Sequence, residues 1–151
     1  YEAELDNIQL HPAVKETLDT LASFPIKLGI ITNGPTDHQK KKIDQLELTR
    51  WIHPEHMLIS QATGFQKPDI ELFQLAEERF DLDPTRTLYV GDNFDNDVFG
   101  SKQAGWQALW LNHRGRKAPQ IKNCQPDCTL TAFEELTAGI LSLTEVAAMA
   151  H

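Results

Sequence analysis

Long apolar runs are missing from this sequence. None approaches the roughly 18 residues that a membrane-spanning helix needs. An excess of positive charge is missing as well. The formal net charge is −8, and no strongly basic stripe is present to neutralise a phosphate backbone, so nucleic-acid binding is disfavoured. Cysteine is scarce: Cys124 and Cys128 are the two in the chain. No second Cys/His pair at zinc-site spacing accompanies them, so they read as ordinary reduced thiols of a cytoplasmic protein. The first residues, Tyr1-Glu2-Ala3-Glu4, are acidic and do not read as a secretory signal. Internal repeats and low-complexity tracts are absent. Hydrophobic residues make up 40% of the chain and charged residues 24%, a globular balance with enough apolar material for one sizeable core.

What is present is a regular alternation of helix and strand signals. Leu10-His11-Pro12 opens a helix with Val14, Leu18 and Leu21 on one face. Lys27–Ile31 reads as a short buried strand stopped by the turn Thr32-Asn33-Gly34-Pro35. Thr36 or Asp37 is suited to cap a polar helix running to about Leu46. Met57–Ser60 reads as a second strand and Gln61–Gln66 as a loop. Pro68 and Asp69 start a helix carrying Leu72, Phe73, Leu75 and Ala76. Thr87–Val90 is a third strand ended by Gly91-Asp92, and Asp97–Ala104 a short helix closed by Gly105. Trp106–Leu111 is a fourth strand, followed by a basic loop, His113–Lys117, and a last helix from about Phe133. Continuously apolar strands with βα alternation predict one α/β domain over residues 1–151, a parallel sheet covered on both faces.

In such sheets ligands sit beyond the carboxyl ends of the strands. A hydroxyl and exposed N–H groups (Thr32, Asn33, Gly34), an ammonium (Lys67) and a carboxylate cluster (Asp92, with Asp95 and Asp97 behind it) would converge there. Like charges about 4 Å apart repel by about 4 kcal/mol at an effective dielectric of 20. Gathered carboxylates beside a phosphate therefore need a cation, and oxygen-only ligands favour Mg²⁺. Lys67 and Thr32 suit the equatorial oxygens of a phosphoryl group in transfer. Each piece alone also has a plainer reading: a tight turn, a solvated lysine, a helix cap. The case rests on their order along successive strands. His38, His53, His56 and His113 show no tight metal spacing and read as surface or structural residues. The His113–Lys117 run could meet an anionic substrate, though charge runs are more often solvated.

These motifs resemble the haloacid dehalogenase superfamily. Ile30–Gly34 resembles its second motif, Gly64–Asp69 its third, and Val90–Val98 its fourth, with a second Asp five residues after the first. Gly100 and Ala104-Gly105 match the usual continuation. The Thr-Asn-Gly ending is most similar to the branch of pyrimidine 5′-nucleotidases and acylneuraminate phosphatases. The resemblance implies a Rossmann-like three-layer core and Mg²⁺-dependent hydrolysis of a small phosphorylated metabolite or nucleotide. Thr32, Asn33 and Lys67 would be catalytic. Thr32, Asn33, Gly34 and Lys67 would bind phosphate, and Asp92 and Asp97 would hold the metal.

The family's first motif, an Asp-x-Asp ending an apolar strand, has no counterpart here. Asp6 and Asp19 precede or fall within a helical pattern. The chain thus reads as a partial core that begins after a cap and lacks the nucleophile, with negligible activity alone. The missing strand would lie between those ending in Thr32 and Asp92. Either those strands pair directly, or another chain fills the gap, or the residues are part of a longer protein, which the intact remaining motifs favour. A metal-independent carbon–halogen hydrolase and a non-catalytic phosphate- or partner-binding domain are the competing readings.

Overall fold

The computed structural model describes residues 9–121 and 123–144. Helix α1 spans Pro12–Ala22, and Pro12 occupies its first turn beside an N-cap made by His11, whose Nδ1 accepts the Ala13 N–H at 3.0 Å. It is followed by β1 (Ile30–Thr32), α2 (Thr36–Gln45), β2 (Met57–Ile59), α3 (Ser60–Thr63), α4 (Ile70–Phe80) and β3 (Leu88–Gly91). A π-helical turn (Phe94–Phe99) runs directly into α5 (Gly100–Gln103). Strand β4 (Gln107–Leu111), strand β5 (Cys128–Leu130) and helix α6 (Leu136–Leu143) complete the described fold.

The α/β alternation and the parallel pairing are as the sequence predicts. Several local expectations differ. Gln61–Gln66 is not all loop, because residues 60–63 form one helical turn closed by Gly64 at φ 80°. Neither Thr36 nor Asp37 caps α2. Pro35 holds that position, and the Thr36 N–H donates instead to Gln61 Oε1 at 2.6 Å. Strand β5 went unpredicted.

The strands form two sheets rather than one. β1 pairs with β2, and β3, β4 and β5 pair in that order, every pairing parallel. Among the described residues no ladder joins β1 to β3, so direct pairing of those strands is not adopted. Alternation along β4 covers both of its faces. Leu109 and Leu111 pack with Leu21 of α1 and Leu136 and Ile140 of α6. Ala108 and Trp110 pack on the other side with Phe94, Val98 and Cys124. A further cluster spans both sheets: Leu72, Phe73, Ala76 and Phe80 of α4 meet Ile31, Leu58 and Trp106. Phe73 is fully buried, with its ring edge-on to Tyr89 (5.4 Å) and Trp106 (5.3 Å). At about 25 cal/mol per Å² of buried apolar surface, such packing is the main force holding the two sheets to one helix.

Between β1 and β3 a narrow opening remains. A cavity of about 80 Å³ lies there, lined among others by Gly29, Ile31, Leu88, Tyr89 and Trp106. Tyr89 Oη spans it, donating to the Ile31 carbonyl at 2.9 Å. Val90, in the strand facing this opening, is 38% exposed, unusual for valine inside a sheet.

Candidate active site

The strand ends bring Thr32, Asn33, Gly34, Lys67 and Asp97 together, and local chemistry explains how. At the end of β1, Thr32 Oγ1 donates to Gln39 Oε1 at 3.1 Å, and the Gly34 N–H donates to Ser60 Oγ at 2.9 Å. Gln39 and Ser60 are both buried, so α2 and α3 hold the turn from below. Gly34 sits at φ 143° with Gln39 against its Cα. The turn therefore needs glycine on grounds of both conformation and space.

Asn33 clamps the Lys67 peptide. Its Oδ1 accepts the Lys67 N–H at 2.8 Å, and its Nδ2 donates to the Lys67 carbonyl at 3.1 Å. Asp69 fixes the far side of the same turn by accepting the Gln66 N–H at 3.1 Å. Lys67 then points at β3. Its Nζ lies 2.7 Å from Asp97 Oδ1 and 3.0 Å from Tyr89 Oη. The pair is largely buried, with side-chain exposures of 12% for Lys67 and 6% for Asp97. Burial alone would lower the Lys67 pKa, but the facing Tyr89 and Asp97 groups outweigh it and hold the ammonium above its ordinary value. Burial pushes the Tyr89 phenol up to about 12, against the opposing pull of Lys67.

Asp97 reaches Lys67 because the backbone after β3 widens. Asn93 Oδ1 accepts the Asn96 N–H at 3.0 Å, and the π turn follows, a geometry frequent at functional sites. Asp97 Oδ2 folds back to accept the Asn93 N–H at 3.1 Å. This return path crosses Gly91, where a Cβ would overlap the Asp97 side chain. Asp92 points elsewhere. Its carbonyl is held by Trp110 Nε1 at 3.0 Å, while its carboxylate is 48% exposed and lies 3.4 Å from His113 Nε2.

Thr32, Asn33, Gly34 and Lys67 thus form one connected group. Asp97 joins it through Lys67, whereas the Asp92 carboxylate, immediately after β3, faces His113. Asp95 is exposed and makes none of these contacts. Mg²⁺ is usually bound through one or two carboxylates and keeps several waters. The exposed Asp92 carboxylate fits that role. Asp97, with both oxygens engaged, fits a supporting one. No cluster of three or more His, Cys, Asp or Glu side chains suited to a metal occurs among the described residues.

Sequence reasoning missed four residues and one side-chain role. Tyr89 was hidden in an apolar strand. Gln39 and Ser60 lie in segments read only as helix and strand. The side-chain role of Asn33 has a partner 34 residues away. His113, read as a surface or structural residue, sits against Asp92.

Comparison with known proteins identifies the family. The haloacid dehalogenase-like hydrolase family model matches residues 1–111. The chain is 33% identical over 102 residues to the glyceraldehyde 3-phosphate phosphatase of Pyrococcus abyssi, covering 68% of this chain and 42% of that protein. It is 32% identical over 111 residues to the pyrimidine 5′-nucleotidase YjjG of Escherichia coli, covering 73% and 48%. The Bacillus subtilis HAD-hydrolase YfnB, solved bound to magnesium, superposes with a TM-score of 0.75 at 28% identity, covering 85% of this chain and 55% of that one. The chain spans about half the length of the curated relatives it matches. Among the described residues no helix is long and apolar enough to cross a membrane. The matched span takes in the strand-end turn, the clamped lysine and both aspartates, and on that match the chain belongs to the haloacid dehalogenase-like hydrolases.

Proposed function

We propose that this chain forms the phosphate- and metal-binding part of a Mg²⁺-dependent phosphomonoesterase acting on a small phosphorylated metabolite or nucleotide. The observation that carries the reading is the Lys67 ammonium, buried and fixed at 2.7 Å from Asp97 at the carboxyl ends of the strands. A preorganised cation there costs no reorganisation when negative charge develops on a transferring phosphoryl group. Thr32 and the Asn33 and Gly34 backbone would orient the phosphoryl oxygens. Asp92 would ligate Mg²⁺, whose charge would offset that of the phosphate, and Asp97 would keep Lys67 in place.

On this reading the attacking group would come from elsewhere, because both oxygens of Asp97 are engaged and Asp92 is taken by the metal. The opening between β1 and β3 supports a further strand, parallel to both, that would complete one Rossmann-like sheet and bring a carboxylate beside Thr32 and Lys67. Two facing unpaired sheet edges are otherwise unfavourable. Without that strand we expect hydrolysis to fall by about 10⁴- to 10⁶-fold, the usual effect of losing a nucleophile.

Metal binding tests the reading without turnover. Asp92→Asn should weaken Mg²⁺ binding to this chain about tenfold or more in titration calorimetry. Unchanged affinity would sink the metal assignment. A carbon–halogen hydrolase is the second reading, supported by 31% identity to the 2-haloacid dehalogenase structure from Pseudomonas syringae. Activity that survives a chelator in the protein with its sheet completed would favour it.

A further inference from the structure

The loop that follows β4 carries cations that the phosphoryl site does not use. It is a built turn. Asn112 Oδ1 accepts the Arg116 N–H and Asn112 Nδ2 donates to the Arg116 carbonyl, both at 2.8 Å. The Gly115 N–H returns to the Asn112 carbonyl at 3.3 Å, and Gly115 takes φ 63°, in the left-handed region.

The loop is also docked. The His113 ring lies 4.8 Å from the Phe133 ring, which also stacks on His11 at 4.3 Å. His113 Nε2 faces Asp92 at 3.4 Å. The first residue of the loop therefore touches the carboxylate assigned to the metal, and the rest of the loop continues from that edge of the site. Arg114, Arg116 and Lys117 are exposed, and none has an ion-pair partner among the described residues. Carboxylates near the loop are already engaged. Glu134 lies 3.9 Å from His11, and Glu135 accepts from the Thr131 and Ala132 N–H groups.

We propose that the His113–Lys117 loop binds a second anionic group of the substrate, a carboxylate or another phosphate, separate from the phosphoryl group being transferred. The inference rests on the phosphatase reading above and names the substrate class. A solvated charge run would not explain a backbone pinned at both ends and a first side chain seated on Asp92. Arginine suits the task, because its planar fork matches carboxylate and phosphate oxygens two at a time. In a chain of net charge −8, three exposed cations on a loop whose first residue faces Asp92 would also bias the approach of a doubly anionic ligand.

Matched three-carbon probes separate the possibilities: propyl phosphate, 3-(phosphonooxy)propanoate and propane-1,3-diyl bisphosphate. Each is titrated into the chain with Mg²⁺ and followed by amide chemical shifts. One of the doubly anionic probes should bind about tenfold more tightly than propyl phosphate, a factor typical of one good charge-assisted contact. Whether the carboxylate or the bisphosphate leads identifies the second group. In the double variant R114A/R116A that advantage should vanish, while propyl phosphate binds as before. Equal affinities in the native chain, or an advantage that survives R114A/R116A, would overturn the inference. Lys67→Met separates the two layers. It should weaken all three probes alike, and propyl phosphate binding that ignores it would overturn the phosphoryl-site reading instead. Failure of propyl phosphate to bind the native chain would overturn both.

Discussion

The ion pair between Lys67 and Asp97 offers a quantitative test of how the site is held. At 2.7 Å and an effective dielectric of about 20, the gross attraction is about 6 kcal/mol. Desolvating both groups offsets much of it, so the pair's net contribution is small, but removing one partner strands the other. Such truncations cost about 3–5 kcal/mol. Asp97 keeps one bond to the Asn93 N–H, which places Lys67→Met near the lower bound, about 3 kcal/mol. Against a total stability of about 5–15 kcal/mol, that is a large and measurable loss. Urea unfolding at neutral pH with a chelator present reads it as a lower midpoint at unchanged slope. Asp97→Asn should also destabilise, because it leaves the ammonium facing a neutral amide. The double variant K67M/D97N removes both charges and should cost less than the sum of the singles by about 2 kcal/mol. A Lys67→Met loss below about 1 kcal/mol, the range of exposed pairs, would refute the claim that the pair is buried and coupled. So would strictly additive singles.

Two other perturbations follow from the same contacts. Gly91→Ala introduces a Cβ into the Asp97 side chain; overpacking of this kind costs about 1–3 kcal/mol, and displacing Asp97 should weaken Mg²⁺ binding as well, both measurable on the purified variant. The Tyr89 phenol is raised from 10.0 to about 12, so above pH 10 the unfolded chain loses this proton first. Its contribution is whole below about pH 10 and lost by about pH 12, on the order of 3 kcal/mol. Tyr89→Phe should flatten that alkaline step in unfolding midpoints; an identical step in the variant would show that Tyr89 is not its source.

Much of the site was legible because its residues sit where parallel sheets put ligands, immediately after apolar strands. Thr32, Lys67 and Asp92 could be nominated as candidates from position and chemistry alone. The alternation of strand and helix could also be read, because a strand covered on both faces leaves an unbroken apolar run in the sequence. The fourth strand shows it: Ala108 and Leu109 lie on opposite faces and both are buried.

What stayed hidden depended on partners distant in sequence or on too few residues. Strand β5 has three residues, Cys128–Leu130, too short for any periodicity to register. The π turn follows from where Asp97 finds its acceptors and donors, which local propensity does not encode. Tyr89 looked like one more apolar strand residue, and its hydroxyl became informative only with Ile31 across the opening. The division into two sheets was foreseeable as a gap, but its outcome depended on whether the flanking strands could pair directly, which needs their full three-dimensional placement.

The position of Lys67 gives the opening a mechanical character. Its main chain is fastened to the β1 side by the two Asn33 bonds, and its side chain is fastened to the β3 side by Tyr89 and Asp97. One residue therefore acts as a strut between two sheets that share no ladder, and the length of its four-methylene stem sets the spacing between them. Because the Asn33 clamp grips only the peptide group, it does not depend on which side chain follows. Substitutions at position 67 would keep the anchor point and alter only the length and charge of the strut, so a series of side chains there would act as a ruler for the width of the opening.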